Sequence, residues 1–166
     1  MLKLLGALTV LSSFICIGVK KNYELNKRIS NITEFRNMCE ELRTEICLRN
    51  TPIPKAIGAI GKKYSNSIFI NWSDLMGQTG VEQAFETAFG RCLDLNCFNK
   101  KDFEVLKSVS VGLGRIDLEN QLRRLDYSIE QISSYLSDVK AEYANKCRLY
   151  LNGSILAGIS LVIILI

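Results

Sequence analysis

Residues 118–143 read LENQLRRLDYSIEQISSYLSDVKAEY, and the spacing of their apolar side chains decides the fold. Leu118, Leu122, Leu125, Ile129, Ile132, Leu136, Val139 and Tyr143 succeed one another at alternating steps of four and three. A helix turns once in about 3.6 residues, so these positions form a heptad seam along one side of it. The pattern continues through Cys147 and Tyr150 with no proline, and no glycine before Gly153. It predicts one helix of about 45 to 50 residues that starts near Asp117.

Leu25, Ile29, Ile32, Phe35, Cys39, Leu42 and Ile46 step by three and four in the same way. Two long amphipathic helices are expected to pack antiparallel and bury both seams in one bundle core. Exposed coiled-coil arms that pair with a second copy are the other arrangement the pattern allows. Between the seams, Thr51 before Pro52 reads as an N-cap with proline at the first helical position, opening a helix that runs to about Tyr64. Residues 65–78 carry Ile68, Phe69, Trp72, Leu75 and Met76 on one face. Thr79 and Glu82 have capping-box spacing ahead of Val81, Ala84, Phe85, Ala88 and Phe89. Asn99 caps a further helix carrying Phe103, Leu106 and Val109, which ends at the Gly112–Gly114 turn.

The chain ends differ from its middle. Leu4–Val19 holds no charge and lies between Lys3 and Lys20, and Leu149–Ile166 holds none either. All 17 Asp/Glu and all but Lys3 of the 21 Lys/Arg fall between these stretches. The expected fold class is therefore all-α, an antiparallel bundle of about six helices with a short membrane helix at each end. Its divisions are residues 1–20, 21–148 and 149–166. At about 1.5 Å per residue the two ends reach roughly 24 and 27 Å, slightly under the roughly 30 Å of bilayer hydrocarbon. A signal peptide is the other reading of the first stretch, but it lacks a small-residue cleavage site. A buried core helix is the other reading of the second, which carries only Asn152 and Ser154 as polar residues near its start.

Lys20, Lys21, Lys27 and Arg28 follow the first stretch, and Lys140, Lys146 and Arg148 precede the second. Basic flanks stay on the cytoplasmic side, so the middle domain is expected there with both termini across the membrane. Cys16, Cys39, Cys47, Cys92, Cys97 and Cys147 form no CxxC pair. They read as reduced residues, with Cys39 and Cys47 on a helical apolar stripe.

Little in the chain points to chemistry. It has no histidine, hence no imidazole base or metal ligand. Gly58 and Gly61-Lys62-Lys63 suggest a phosphate loop, but Ala56 and Lys63 stand where that motif needs glycine and Ser/Thr. Gly112 and Gly114 lack the third glycine of a dinucleotide motif. Glu40, Glu41 and Glu45, with Arg43 and Arg49 at helical spacing, read as a salt-bridged face. The middle has only three excess positive charges and no aromatic platform, which argues against nucleic acid as a partner. Asn31-Ile32-Thr33 and Asn71-Trp72-Ser73 match the glycosylation pattern, which a cytoplasmic placement makes irrelevant.

Four segments together carry a resemblance. They are the opening Met1-Leu2-Lys3-Leu4-Leu5-Gly6-Ala7, Glu45-Ile46 with Thr51-Pro52-Ile53-Pro54-Lys55-Ala56-Ile57, Gly112-Leu113-Gly114 with Asp117 and Gln121, and the glycine-punctuated last helix. Over nearly its full length the chain resembles the stage III sporulation protein AB family of endospore-forming bacteria. The resemblance implies a component of the channel-like assembly between mother cell and forespore. It also implies a cytoplasmic domain similar to the helical bundle of type II secretion system protein F, located at the cell membrane on the mother-cell side of the forespore envelope.

The partners implied are a secretion-type ATPase, other membrane subunits and membrane lipid, with no cofactor, metal or small-molecule substrate and no enzymatic activity. The motif positions Thr51, Pro52, Ile53, Pro54, Gly112, Gly114, Asp117 and Gln121 are not catalytic in that family. As residues they read first as turn chemistry: Thr51 a cap, Gly112 and Gly114 positions of positive φ, and Asp117 the cap of the long helix. The candidate partner-binding residues are Glu45, Thr51, Pro52, Pro54, Asp117 and Gln121. The function expected is a non-enzymatic platform that docks an ATPase and membrane subunits. The alternative is a membrane-tethered regulatory adapter that recruits a cytosolic partner without transport, and a membrane enzyme ranks third.

Overall fold

The computed structural model describes residues 2–49, 51–92, 98–115 and 117–165, with most side chains of 2–15 and 148–165 outside the described set. The described elements are α1 (Leu2–Arg49), α2 (Ile53–Tyr64), α3 (Ser67–Thr79), α4 (Val81–Cys92), α5 (Lys100–Lys107), a 3-10 turn (Ser108–Ser110) and α6 (Leu118–Leu165). Among the described residues all regular structure is helical, as the periodicity predicts. The second long helix begins one residue after Asp117 and runs 48 residues.

The chain divides into two compact units, Met1–Ile29 with Asp138–Ile166, and Ser30–Ser137. Within the first, the Tyr143 hydroxyl donates to Asn22 Oδ1 at 2.8 Å, joining α6 to α1. Val139 is buried there, and Leu25 and Ile29 are half-buried. Among the described residues no helix is long and apolar enough to cross a membrane. The membrane helices expected over 1–20 and 149–166 therefore receive no support; they fall mostly on side chains outside the described set, as do the readings of Cys97 and Tyr150. Neither end is a separate helix, since α1 and α6 each continue through it.

Within the second unit, Arg36 Nε donates to Ser133 Oγ at 2.7 Å, and the Arg43 guanidinium grips the Asp126 carboxylate. Seven residues forward on α1 thus correspond to seven residues back on α6, which is the antiparallel, heptad-spaced packing expected of two seams. Ile32, Phe35, Met38, Cys39, Leu42 and Ile46 of α1 are buried, as are Leu125, Ile129, Ile132 and Leu136 of α6. Leu118 departs from the expected seam and is 45% exposed, because it is the first residue of the helix and extends beyond the core. Cys47 also departs from its expected place and lies exposed, while Cys39 and Cys92 are buried. Burial pushes the Cys39 thiol far up, so it stays protonated and behaves as a small apolar group.

α2, α3 and α4 complete the core. Phe35, Phe69, Trp72, Phe85 and Phe89 form a chain of ring contacts with centroids 5.0 to 6.1 Å apart. Burying each such ring contributes about 1.5–3 kcal/mol, which makes this cluster a principal source of stability. The Trp72 indole N–H donates to the Val81 carbonyl at 2.8 Å, so the ring is buried without an orphaned donor. Gly58 and Gly61 are the contact points of α2 on α3, and a Cβ on Gly61 would come within 2.8 Å of the Ile70 amide nitrogen. Their glycines serve helix packing.

The connections correct two expected caps and one expected helix start. α2 is capped by Pro52, at φ −55° and ψ 132°, with no side-chain cap, because the Thr51 hydroxyl donates to Glu45 instead. α3 starts at Ser67, two residues later than expected. Ser65 closes α2 in the left-handed region at φ 52°, and the Asn66 amide reaches back to the Gly61 carbonyl at 2.8 Å. Asn66 then caps α3 through Ile68 N and Phe69 N. Thr79 is the last residue of α3, its hydroxyl donating to Leu75 O, so no capping box forms with Glu82. Asn99 and Asp102 do form one, with reciprocal bonds of 2.8 and 2.7 Å.

Candidate functional site

One end of the second unit gathers the candidate residues. α1 ends at Arg49, α2 opens at Ile53, α3 passes to α4 through Gly80, and the Gly112–Gly114 turn leads into α6. A Cβ on Gly114 would meet Ile53 Cδ1 at 3.5 Å and Val81 Cγ2 at 3.7 Å, which brings the 51–54 turn, the α4 start and the glycine turn together. Gly112 and Gly114 have φ of 74° and 79°, the positive values expected of them. The Gly112 amide donates to Glu82 Oε1 at 3.2 Å, and Arg115 lies 3.9 Å from the same carboxylate.

Glu45 is partly buried, as its position beside the seam suggests. Its carboxylate accepts from Arg49 Nη1 at 2.7 Å and from Thr51 Oγ1 at 3.3 Å. The polar contact made by Glu45 is therefore internal and clasps the α1–α2 connection. Pro52 and Pro54 are exposed, and Thr51 is half-buried. Asp117 caps α6: it accepts Asn120 N at 3.2 Å and Asn120 Nδ2 at 2.8 Å. These bonds hold its carboxyl below the usual range. Gln121 is half-buried, and its amide donates to the Asp117 carbonyl at 2.9 Å.

All six predicted residues thus share one end of the unit, with Glu45 and Thr51 in contact and Asp117 bonded to Gln121 through the backbone. The end also shows Leu48, 77% exposed, and Leu118, which sequence reasoning did not single out as surface residues. Leu48 lies two residues past Ile46 and off the seam, a signal that could have found it. The acidic face is salt-bridged as expected but without Arg43, which turns to Asp126: Glu40 pairs with Arg36, Glu41 with Lys63 and Glu45 with Arg49. The Lys63 ammonium lowers the Glu41 carboxyl and is itself raised by it. Among the described residues no group of three His, Cys, Asp or Glu is placed to hold a metal. The chemistry available at this end is recognition: a carboxylate, exposed prolines and leucines, and backbone fixed by caps.

The family model for stage III sporulation protein AB matches residues 3–166. The chain belongs to that family. A solved structure described as stage III sporulation protein AB (SpoIIIAB) is similar to it at 23% identity and a TM-score of 0.64. The match covers 71% of this chain and 97% of that one, and shows a shared fold. No curated protein matches in sequence. In this stage III sporulation protein AB family member, the Thr51-Pro52-Ile53-Pro54 and Gly112–Gly114 turns lie at the same end of one helical unit.

Proposed function

We propose that this family member is a non-enzymatic membrane component of a sporulation channel or secretion-like complex between mother cell and forespore. In this reading it is a platform that docks an ATPase and other membrane subunits. The family match over residues 3–166 carries the reading. The apolar stretches Leu4–Val19 and Leu149–Ile166 would hold the chain in the membrane, with the middle domain cytoplasmic and both termini on the far side. The end bearing Glu45, Thr51, Pro52, Pro54, Asp117 and Gln121 would face the ATPase.

The test is affinity capture of the full-length tagged chain from detergent-solubilised sporulating cells, alongside the Glu45→Lys variant. Recovery of a secretion-type ATPase with the parent chain, and its loss with the variant at unchanged helicity and melting, supports the platform. Cytosolic partners without an ATPase favour the adapter instead. Deleting residues 149–166 separates the two again: a platform loses all function, whereas an adapter keeps its partner.

A further inference from the structure

Ser108, Val111, Arg124, Tyr127, Ser128 and Gln131 enclose an open groove of about 370 Å³ between the 3-10 turn and α6. It lies wholly within the second unit. Tyr127 and Val111 give it an apolar wall, 63% and 41% exposed. Gln131 Nε2 donates to the Tyr127 hydroxyl at 2.9 Å, which steadies the ring at the rim.

Arg124 supplies the groove's charge, and Gly112 makes room for it. A Cβ on that glycine would stand 3.1 Å from Arg124 Nη1 and 3.5 Å from Cδ, so the guanidinium lies against the glycine backbone. Three acids on the neighbouring elements are engaged elsewhere. Glu119 pairs with Arg123, Glu86 with Lys107, and Glu82 with Gly112 N and Arg115. Among the described residues, Arg124 is left with no hydrogen bond or ion pair, and the groove lining contains no acidic residue.

A lone cation on a flat helix face would simply be hydrated. Set in a concavity beside an exposed aromatic ring and an aliphatic wall, an arginine matches the make-up of binding hot spots, where a partly desolvated ion pair gains strength. We propose that this groove receives an acidic segment of a partner protein. That segment would carry a carboxylate for Arg124 and, close to it, an apolar side chain for the wall of Val111 and Tyr127. The proposal rests on the reading of the chain as an assembly component, but it requires no ATPase.

The test places the photo-crosslinker p-benzoylphenylalanine at position 127 of the full-length chain in sporulating cells, which retains an aromatic wall, and sequences the crosslinked peptide. The expected crosslink falls on another protein within a few residues of an Asp or Glu. Arg124→Glu should lower its yield about tenfold at unchanged melting temperature, and changing the partner's acid to Lys should restore it. If Arg124→Glu fails to fold, Arg124→Gln gives the same comparison without introducing a negative charge. Crosslinks to lipid, to nucleic acid, to a second copy, or to a segment without acids would overturn the proposal, as would a yield indifferent to both variants. An acidic-segment crosslink that obeys the charge swap while no ATPase is captured would uphold the groove and sink the platform.

Discussion

The Tyr135 hydroxyl on α6 donates to Asp102 Oδ1 at 2.8 Å, and both residues are buried. The same carboxylate accepts the Asn99 amide at 2.7 Å, so one side chain caps α5 and fastens it to the long helix. Hydrogen bonds to a charged acceptor contribute about 1.5–3 kcal/mol. Tyr135→Phe should therefore destabilise the chain by about 1–2 kcal/mol in chemical denaturation, and Asp102→Ala by more. A Tyr135→Phe protein with unchanged stability would show the contact to be dispensable.

Gly58 and Gly61 differ in what surrounds them. A methyl at Gly61 would press on the Ile70 nitrogen and the Phe69 carbonyl carbon at 2.8 and 3.0 Å, backbone atoms that cannot yield without moving α3. At Gly58 it would meet Ser73 Oγ at 3.0 Å, a side chain able to rotate. Gly→Ala gains about 1 kcal/mol in helix propensity, while overpacking costs about 1–3 kcal/mol. Gly61→Ala should be destabilising and Gly58→Ala near neutral, and thermal melts of the two variants will decide.

Arg43 and Asp126 set the register of α1 against α6 but remain fairly exposed, at 41% and 48%. A double-mutant cycle with Arg43→Ala and Asp126→Ala should give a coupling of about 0.2–1 kcal/mol, shrinking toward 1 M salt. The reversed pair, Arg43→Asp with Asp126→Arg, should recover most of what either single reversal loses. Failure of that rescue would show that apolar packing alone holds the register.

Glu41 titrates below its ordinary range because Lys63 donates to it. Its contribution is full above the unfolded value of about 4.3 and is lost as pH falls through the lower folded value. Lys63, raised by the same contact, contributes fully below about 10.4 and loses its share as pH rises through its higher folded value. Glu41→Gln should flatten the acid limb of the melting temperature against pH profile below about pH 4. It should also flatten the alkaline limb above about pH 10, where the pair is otherwise lost. Coincident profiles for the two proteins would exclude a linked pair.

Features that depend on neighbours in the chain were legible in the sequence. The two heptad seams, the start of α6 beside Asp117, the Asn99 cap and the positive φ of Gly112 and Gly114 all follow from local spacing or backbone sterics. That the six candidate residues share one end of the second unit was not legible, because they lie on separate stretches of the chain. Competition among hydrogen-bond partners was hidden. Thr51 gives its hydroxyl to Glu45 and Thr79 gives its own to Leu75, so neither caps as its spacing suggests.

By itself, then, the sequence determined that this chain forms two long helices with a helical core between them, because periodic burial and capping are written in adjacent residues. Only the tertiary structure decided that Gly61 seats Phe69, that Arg43 meets Asp126, that Leu118 stands clear of the core and that Gly112 makes room for Arg124. Those outcomes pair residues far apart in the chain. Which of several chemically suitable partners a side chain meets is set by how the helices pack, and spacing along one helix carries no record of it.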